Sequence, residues 1–120
     1  MSFSLRIICP KGLAYEGEVN EINIPLESGP IGILKGHTPY IAILKDKGIL
    51  NFKEDGSSKI KYFVVYGGTM ETKAGGDTML LVEECKKASS LEEASKILEG
   101  EREPLLEEEE TYIEKAAERL

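Results

Sequence analysis

Apolar and polar residues alternate with a period of two through most of the first 83 residues. In segment 3–9 every second residue is apolar, and Ile22 and Ile24 share one face of segment 19–24. Successive side chains of a β-strand point to opposite faces, so this pattern is typical of strands that are buried on one side. No helical pattern is interleaved with these segments, which argues against a parallel α/β sheet.

Turn-forming residues divide this region into short strands. Segment 45–48, Lys-Asp-Lys-Gly, predicts a tight hairpin turn between the strands 40–44 and 48–52. Segment 53–58 predicts a second hairpin, because its Asp-Gly pair supplies the positive φ that such turns need. Glycine pairs at 67–68 and 75–76 indicate bulges and turns within a sheet. Many short strands with turns about every ten residues favour an antiparallel β-sandwich.

The pattern changes to a helical one after residue 88. Ser90 and Glu93 have the spacing of a capping box at a helix start. An apolar stripe at helical spacing follows it: Leu91, Ala94, Ile97 and Leu98. Gly100 is expected to end this helix and Pro104 to begin a second one. The chain is therefore predicted to have a β-sandwich domain, residues 1–88, and a short two-helix domain, residues 89–120.

Charge separates the same two regions. The chain has 15 basic and 22 acidic residues and a net charge of −7. Residues 1–88 are neutral, so the whole excess of acid lies in residues 89–120. A nucleic-acid partner is not expected, because such proteins need a basic surface to neutralise phosphates.

Other classes are excluded by length and composition. The longest apolar stretch, 62–66, is far shorter than the roughly 20 residues of a membrane-spanning helix. The first ten residues have no basic segment followed by a long apolar core, so no secretory signal is predicted. Two cysteines provide no disulfide framework, which favours two reduced, buried thiols in a cytosolic protein.

The sequence contains few residues that could form a catalytic or metal site. His37 is the single histidine, and one histidine with two distant cysteines does not match structural zinc spacing. The glycine pairs are not followed by the Lys-Ser/Thr of a phosphate loop, and the acidic run 107–110 lacks the glycine of a calcium loop. We therefore expect no catalytic residue, no metal and no cofactor, although a small enzyme built around His37 remains an alternative.

Segment 28–40 carries the most information about function. It holds three glycines, two prolines and the apolar residues Ile31 and Ile33, which look exposed. It is either a capped edge of the sandwich or a protein-docking surface, since loops with apolar tips on a rigid scaffold often serve recognition. A free-standing β-sandwich binding module with a helical dimerisation tail is the main alternative for the chain as a whole.

Residues 29–39 of this segment read Gly-Pro-Ile-Gly-Ile-Leu-Lys-Gly-His-Thr-Pro. They resemble the Gly-x-Leu/Ile-Gly-Ile-x-x-Gly-His-x-Pro segment of the epsilon subunit of bacterial F-type ATP synthase. Tyr-Gly-Gly-Thr-Met-Glu at 66–71 is similar to a second family segment, and residues 5–17 look like its first hairpin. The resemblance spans residues 1–88.

The resemblance implies a non-catalytic rotor subunit that couples ion-driven rotation of the c-ring to ATP synthesis. It implies a peripheral position at the cytoplasmic face of the cell membrane, with the gamma subunit and the c-ring as partners. Pro30 stands where this family often has an acidic residue. The segment that would dock on these partners contains Gly29, Ile31, Gly32, Ile33, Gly36, His37 and Pro39.

For the helices the resemblance implies a regulatory role, with contacts to the alpha and beta subunits. Some family members also bind ATP through a motif on the first helix. The matching positions are Leu91, Glu92 and Lys96, with Glu in place of the motif's Asp and Ser95 in place of its Arg. Residues 89–120 are strongly acidic, which departs from the family. Repulsion between like charges would oppose their contact with an acidic surface of a partner subunit.

Overall fold

The computed structural model describes residues 1–100, which form seven strands and one helix. The strands are β1 (Phe3–Cys9), β2 (Gly12–Leu26), β3 (Gly29–Leu34), β4 (Tyr40–Ile43), β5 (Gly48–Glu54), β6 (Ile60–Thr72) and β7 (Thr78–Ala88), and the helix is α1 (Leu91–Gly100). The second helix predicted from Pro104 lies outside the described residues.

The strands pair in a closed order that confirms the predicted β-sandwich. Antiparallel pairs join β1 to β2, β2 to β5, β5 to β6 and β6 to β7, and a pair between β7 and β1 closes the ring. This closing pair is parallel, which the prediction of a purely antiparallel sandwich did not include. β3 adds to the second half of β2, and β4 adds to the second half of β6.

Three long strands belong to both layers of the sandwich. The first layer contains β4, the second half of β6, the first half of β7, β1 and the first half of β2. The second layer contains β3, the second half of β2, β5, the first half of β6 and the second half of β7. A one-residue bulge at Asn20 accompanies the passage of β2 from one layer to the other.

The predicted hairpin between segments 40–44 and 48–52 is wrong. β4 pairs with β6, and β5 pairs with β2 and with the other half of β6. Between them the Leu44 N–H donates to the Gly68 oxygen at 2.9 Å, and the Lys45 N–H donates to the Pro25 oxygen at 2.9 Å. These bonds to other strands carry the chain from the first layer to the second, so residues 45–48 do not fold back on β4.

The core lies between the two layers and contains the residues that the alternation assigned to it. Phe3, Leu5 and Ile7 are at most 1% exposed, and Ile22 and Ile24 are fully buried. Aromatic rings from different strands complete one part of the core, with Phe52 stacked on Phe63 at a centroid distance of 6.0 Å. The regular alternation thus fixes which face of each strand is buried.

The helix α1 covers the outer face of the second layer. Its Ala94 is fully buried in a second apolar cluster with Val64, Tyr66 and Ala88. Because the core lies on one side of β6 and α1 on the other, the four consecutive residues 63–66 are all buried. This explains the longest apolar stretch in the sequence, which simple alternation does not.

The capping box predicted for α1 is present in part. The Glu93 N–H donates to the Ser90 hydroxyl oxygen at 3.1 Å, as expected at a helix start. The Glu93 carboxylate, however, accepts from the Ser89 hydroxyl and not from a backbone amide of the cap. Leu91, which was assigned to the apolar stripe, is 53% exposed.

The passage of β6 between layers requires glycine at position 68. Gly68 has a φ of +116°, and a Cβ placed there would lie 2.0 Å from the Leu81 carbonyl oxygen on β7. Gly75, in the turn between β6 and β7, also has a positive φ of +97°, but a Cβ there would meet nothing within 4 Å. Substitutions at the two positions can therefore distinguish the free-energy cost of backbone strain, which both share, from that of steric overlap, which occurs at Gly68 alone of the two.

We predict that Gly68→Ala lowers the free energy of unfolding by about 3 kcal/mol or more, because strain and overlap both act. Gly75→Ala is the matched control, and strain alone should cost it about 1–2 kcal/mol. Urea unfolding of both variants measures the difference. Equal losses at the two positions would contradict the close packing of Gly68 against β7.

Candidate docking face

An apolar row crosses the outer face of the first layer. The strand registers place Ile43 beside Thr69, Thr69 beside Leu81, Leu81 beside Ile8, and Ile8 beside Leu13. Four of these five side chains are therefore large and apolar, and they come from four different strands. We call these five residues the apolar row.

The members of the apolar row are exposed to solvent. Ile43 is 59% exposed, Leu13 57% and Leu81 46%, whereas Ile8 is half-buried. Ile41, one row further along β4, is 73% exposed. Contiguous apolar surface of this kind on a folded protein marks an interaction site, because single exposed apolar residues are common but rows of them are not.

Charged residues lie along one side of the apolar row. In the adjacent outward row, Glu71 on β6 lies beside Met79 on β7, and Arg6 on β1 lies opposite Glu16 on β2. The Arg6 guanidinium is 3.7 Å from the Met79 sulfur. The face thus has an apolar strip with a polar margin, which is the general anatomy of protein interfaces.

The docking segment predicted at 29–39 is not a single loop. Residues 29–34 form β3, which pairs with β2 at an edge of the second layer. Ile33 is fully buried in the core, so the expectation that it is exposed is wrong, and Ile31 is half-buried against the same core. Alternation along β3 turns both isoleucines inward, leaving Pro30 and Gly32 outward.

The rest of the predicted segment is a loop that contains Gly36, His37 and Pro39. It rests on the turn between β6 and β7, where the Gly36 N–H donates to the Gly75 oxygen at 2.8 Å. Gly29, at the other end of β3, is separated from this loop by the length of the strand, about 17 Å. The predicted docking residues therefore line an edge of the sandwich and do not converge on one point.

Among residues 1–100, the contacts of His37 are not those of a catalytic arrangement. Its Nδ1 lies 2.6 Å from the backbone oxygen of Thr38, and its ring meets the Tyr40 ring at a centroid distance of 6.5 Å. Within residues 1–100, no three His, Cys, Asp or Glu side chains are grouped so that they could hold a metal ion. The alternative of an enzyme built around His37 gains no support from this geometry.

The three residues considered for nucleotide binding lie on the exposed surface of α1. Lys96 forms an ion pair with Glu92, with 3.8 Å between Nζ and Oε1, and the two side chains are 77% and 83% exposed. Leu91 is exposed at the first position of the helix. Lys96 is thus already beside a carboxylate, which would repel a phosphate group.

Several exposed apolar residues were missed when the sequence was considered alone. Leu34 and Tyr40 flank the loop at His37 and are 58% and 40% exposed. Ile8 and Leu81 fall at outward positions of strands whose inward positions are also apolar. An apolar residue out of phase with the alternation is the signal that could have identified them.

The chain matches a family model described as "ATP synthase, Delta/Epsilon chain, beta-sandwich domain" over residues 2–86. This match takes in all of the described strands but the last two residues of β7. The chain belongs to the ATP synthase epsilon chain family.

Two epsilon chains illustrate the similarity within the family. The ATP synthase epsilon chain of Dichelobacter nodosus is 36% identical over 91 residues, which cover 76% of this chain and 62% of that protein. The epsilon chain of Nitrobacter winogradskyi is 31% identical over 124 residues, which cover 99% of this chain and 87% of that protein. The first of these matches therefore spans less than two thirds of the relative's length.

Two solved assemblies contain chains with the fold seen here. One is the mitochondrial ATP synthase of Euglena gracilis, OSCP/F1/c-ring, with a TM-score of 0.66 and 23% identity. The other is the central stalk and c-ring of the Tetrahymena thermophila mitochondrial enzyme, with a TM-score of 0.59 and 13% identity. Each covers 72% of this chain, and 53% and 66% of the respective solved chains. At these identities the likeness shows the fold alone.

Over residues 1–100, no helix has the length and apolar character needed to cross a membrane. α1, the helix of this part, has ten residues and includes four charged side chains.

An ionic cluster at the rim of the core has a structural and not a catalytic geometry. Glu54 accepts a hydrogen bond from the Tyr15 hydroxyl at 2.7 Å and pairs with the Lys61 ammonium at 2.9 Å. The hydrogen bond from Lys61, followed by that from Tyr15, lowers the pKa of Glu54. Burial, followed by the bond to Glu54, raises the pKa of Tyr15. Both shifts favour a charged Glu54 and a neutral Tyr15. The two contacts join β2, β5 and β6.

We predict that the sandwich loses stability in acid because the stabilising contribution of this cluster is lost there. Because the folded-state pKa of Glu54 is below its ordinary value of 4.5, its stabilising contribution is complete above that value and is lost as pH falls through the lower folded pKa. The thermal midpoint should therefore fall less between pH 5 and 3 in Glu54→Gln than in the wild type, as measured by circular dichroism.

Glu18→Gln is the control for this measurement, since Glu18 lies in the same half of β2 as Tyr15 and its carboxylate accepts a hydrogen bond from the Ser2 hydroxyl at 2.9 Å. An acid dependence as steep in Glu54→Gln as in the wild type would show that the cluster does not link stability to pH.

Proposed function

We propose that this chain is a non-catalytic central-stalk subunit of an F-type ATP synthase, which couples ion-driven rotation of the c-ring to ATP synthesis. The observation that carries the proposal is the apolar row on a sandwich of the epsilon chain family. Such a subunit makes and breaks no bond. It transmits torque because it is rigid and is held by protein contacts on more than one side.

The apolar row is the surface that we assign to the gamma subunit. Its side chains stand on paired strands, so they are held in place before binding and lose little conformational freedom on docking. Burying Ile43, Leu81 and Leu13 removes apolar area from water at roughly 25 cal/mol per Å². The polar margin at Arg6 and Glu16 would then lie at the rim, where charges contribute orientation more than affinity.

The edge formed by β3 and the following loop is the surface that we assign to the c-ring. Pro30 and Gly32 present little side chain and no charge there, and Leu34 and Tyr40 provide exposed apolar area near the loop. With Pro30 in place of the acidic residue that the family often has, the ring contact at this point would be apolar. Attachment to the membrane would follow from this contact and place the subunit at the cytoplasmic face.

The division of labour that we propose is between the sandwich, residues 1–88, and the helical part, residues 89–120. The sandwich would hold gamma and the ring, and the helical part would carry any regulation through the alpha and beta subunits. Most of that acidic part lies outside the described residues. Its regulatory role is a prediction from the resemblance alone.

We propose that the chain has no cofactor and that α1 does not hold ATP. The exposed ion pair of Lys96 with Glu92 leaves no unpaired cation at the matching positions, and a lysine does not reproduce the two parallel hydrogen bonds of an arginine. The substitution of Ser95 for the motif's arginine removes the group that would hold the phosphate.

Gamma binding should depend on the apolar row. Ile43→Asp and Leu81→Asp each place a carboxylate in the surface that would be buried, so we predict an affinity loss of about 10- to 100-fold for each variant. Titration calorimetry of the purified chain with the gamma subunit measures this loss.

Ile60→Asp is the matched control, because Ile60 is 43% exposed and lies at the start of the β6 half that belongs to the second layer. It should bind gamma as the wild type does. If folded Ile43→Asp and Leu81→Asp chains also bound gamma at wild-type affinity, the assignment of the apolar row would be wrong.

Titration with ATP should leave the thermal midpoint of the full chain unchanged, because a ligand that binds the folded state raises this midpoint by mass action. Differential scanning calorimetry at increasing ATP concentration is the measurement. A rise that disappears in Lys96→Ala would contradict our proposal and locate a nucleotide site on α1.

A further inference from the structure

The two cysteines of the chain come from different layers of the sandwich and pack against the same core. Cys9 ends β1 in the same inward phase as Ile7, in the first layer. Cys85 lies in the half of β7 that belongs to the second layer, in inward phase opposite Val65. Both side chains are half-buried and pack against the same core cluster, both are free thiols, and they are in hydrogen-bonding contact.

No backbone pairing joins β1 and β7 at this point. Their parallel register ends with the pair Ile8 and Leu81, one residue before Cys9. Beyond it β1 turns away towards Gly12, whose oxygen accepts a weak hydrogen bond from the Cys9 thiol at 3.4 Å. The thiol contact is therefore the next link between these strands after the ladder ends.

We propose that Cys9 and Cys85 form a reversible disulfide that joins the two layers when the protein meets hydrogen peroxide. In the first step the Cys9 sulfur attacks one oxygen of hydrogen peroxide and the O–O bond breaks. The departing hydroxide takes up the Cys9 proton and leaves as water, and Cys9 becomes a sulfenic acid. In the second step the Cys85 sulfur attacks the Cys9 sulfur, the S–O bond breaks, and a second water leaves with the Cys85 proton. Two thiols and one peroxide thus become one disulfide and two waters.

The surroundings of the two sulfurs give this reaction an order. Burial, with the nearby Cys9 as the next cause, raises the pKa of Cys85 to about 11. At neutral pH the Cys85 side chain is therefore almost entirely the protonated thiol, which is less reactive than the thiolate. Cys9 lies at the end of its strand beside the turn to Gly12, and we assign the first step to it. Closure of the disulfide by Cys85 should accelerate as pH rises towards its pKa.

The bridge would restrain a long part of the chain. It joins residues separated by 75 others, and a cross-link of that span removes much of the conformational freedom of the unfolded state. We expect the oxidised chain to unfold at a midpoint higher by roughly 10 °C than the reduced chain. The effect belongs to the sandwich itself and is independent of the role in ATP synthase.

The test uses the purified full chain treated with hydrogen peroxide in slight excess. Intact-mass measurement should show the loss of two hydrogen atoms, and peptide mapping without reductant should recover a peptide pair joined through Cys9 and Cys85. The thermal midpoint should rise, and dithiothreitol should reverse both the mass change and the rise.

Cys9→Ser and Cys85→Ser are the controls, and circular dichroism establishes that each is folded before treatment. Neither should gain thermal stability on oxidation, and Cys85→Ser should accumulate a sulfenic acid that a dimedone probe captures. Recovery of the wild type with both thiols intact, or with sulfinic acid on one cysteine and the other free, would overturn the proposal. So would a bridge between two copies of the chain.

Discussion

The crossing of β6 between the two layers is the constraint on which the rest of the sandwich depends. One half of β6 pairs with β5 and the other with β4, while β7 pairs with both halves, from Tyr62 to Thr72. The crossing is possible because Gly67 and Gly68 both have positive φ and the Leu81 carbonyl occupies the space of a Cβ at Gly68. This approach fixes the position of Leu81 and so aligns β7 and β1, which carry the centre of the apolar row.

Local sequence rules were sufficient for much of the fold. Alternation identified the buried face of β1, and the Asp-Gly pair at 55–56 identified the turn between β5 and β6. Ser90 marked the start of α1 because its hydroxyl meets a free amide of the first turn. Each of these features is decided by residues a few positions apart, which a single sequence displays directly.

Features that depend on contacts between residues far apart in the sequence could not be predicted from local sequence rules. Residues 45–48 resemble a hairpin turn, but their partners are Pro25 and Gly67 on other strands. Ile33 was expected to be exposed within a loop, and the pairing of β3 with β2 turns it into the core. The apolar row was missed because its members lie far apart in the sequence and meet only through four strand registers. Most of the docking face therefore depends on tertiary pairing.

The covering of β6 by α1 places the limit of the cooperative folding unit beyond the end of the matched β-sandwich domain. The family match ends at residue 86, yet Val64 and Tyr66 are shielded from water by Ala94, Ile97 and Leu98. A polypeptide cut at residue 86 would leave Val64 and Tyr66 exposed to water on the outer face of β6 and would tend to self-associate. During the evolution of such proteins, loss of the first turns of α1 would therefore require more polar residues on the outer face of β6.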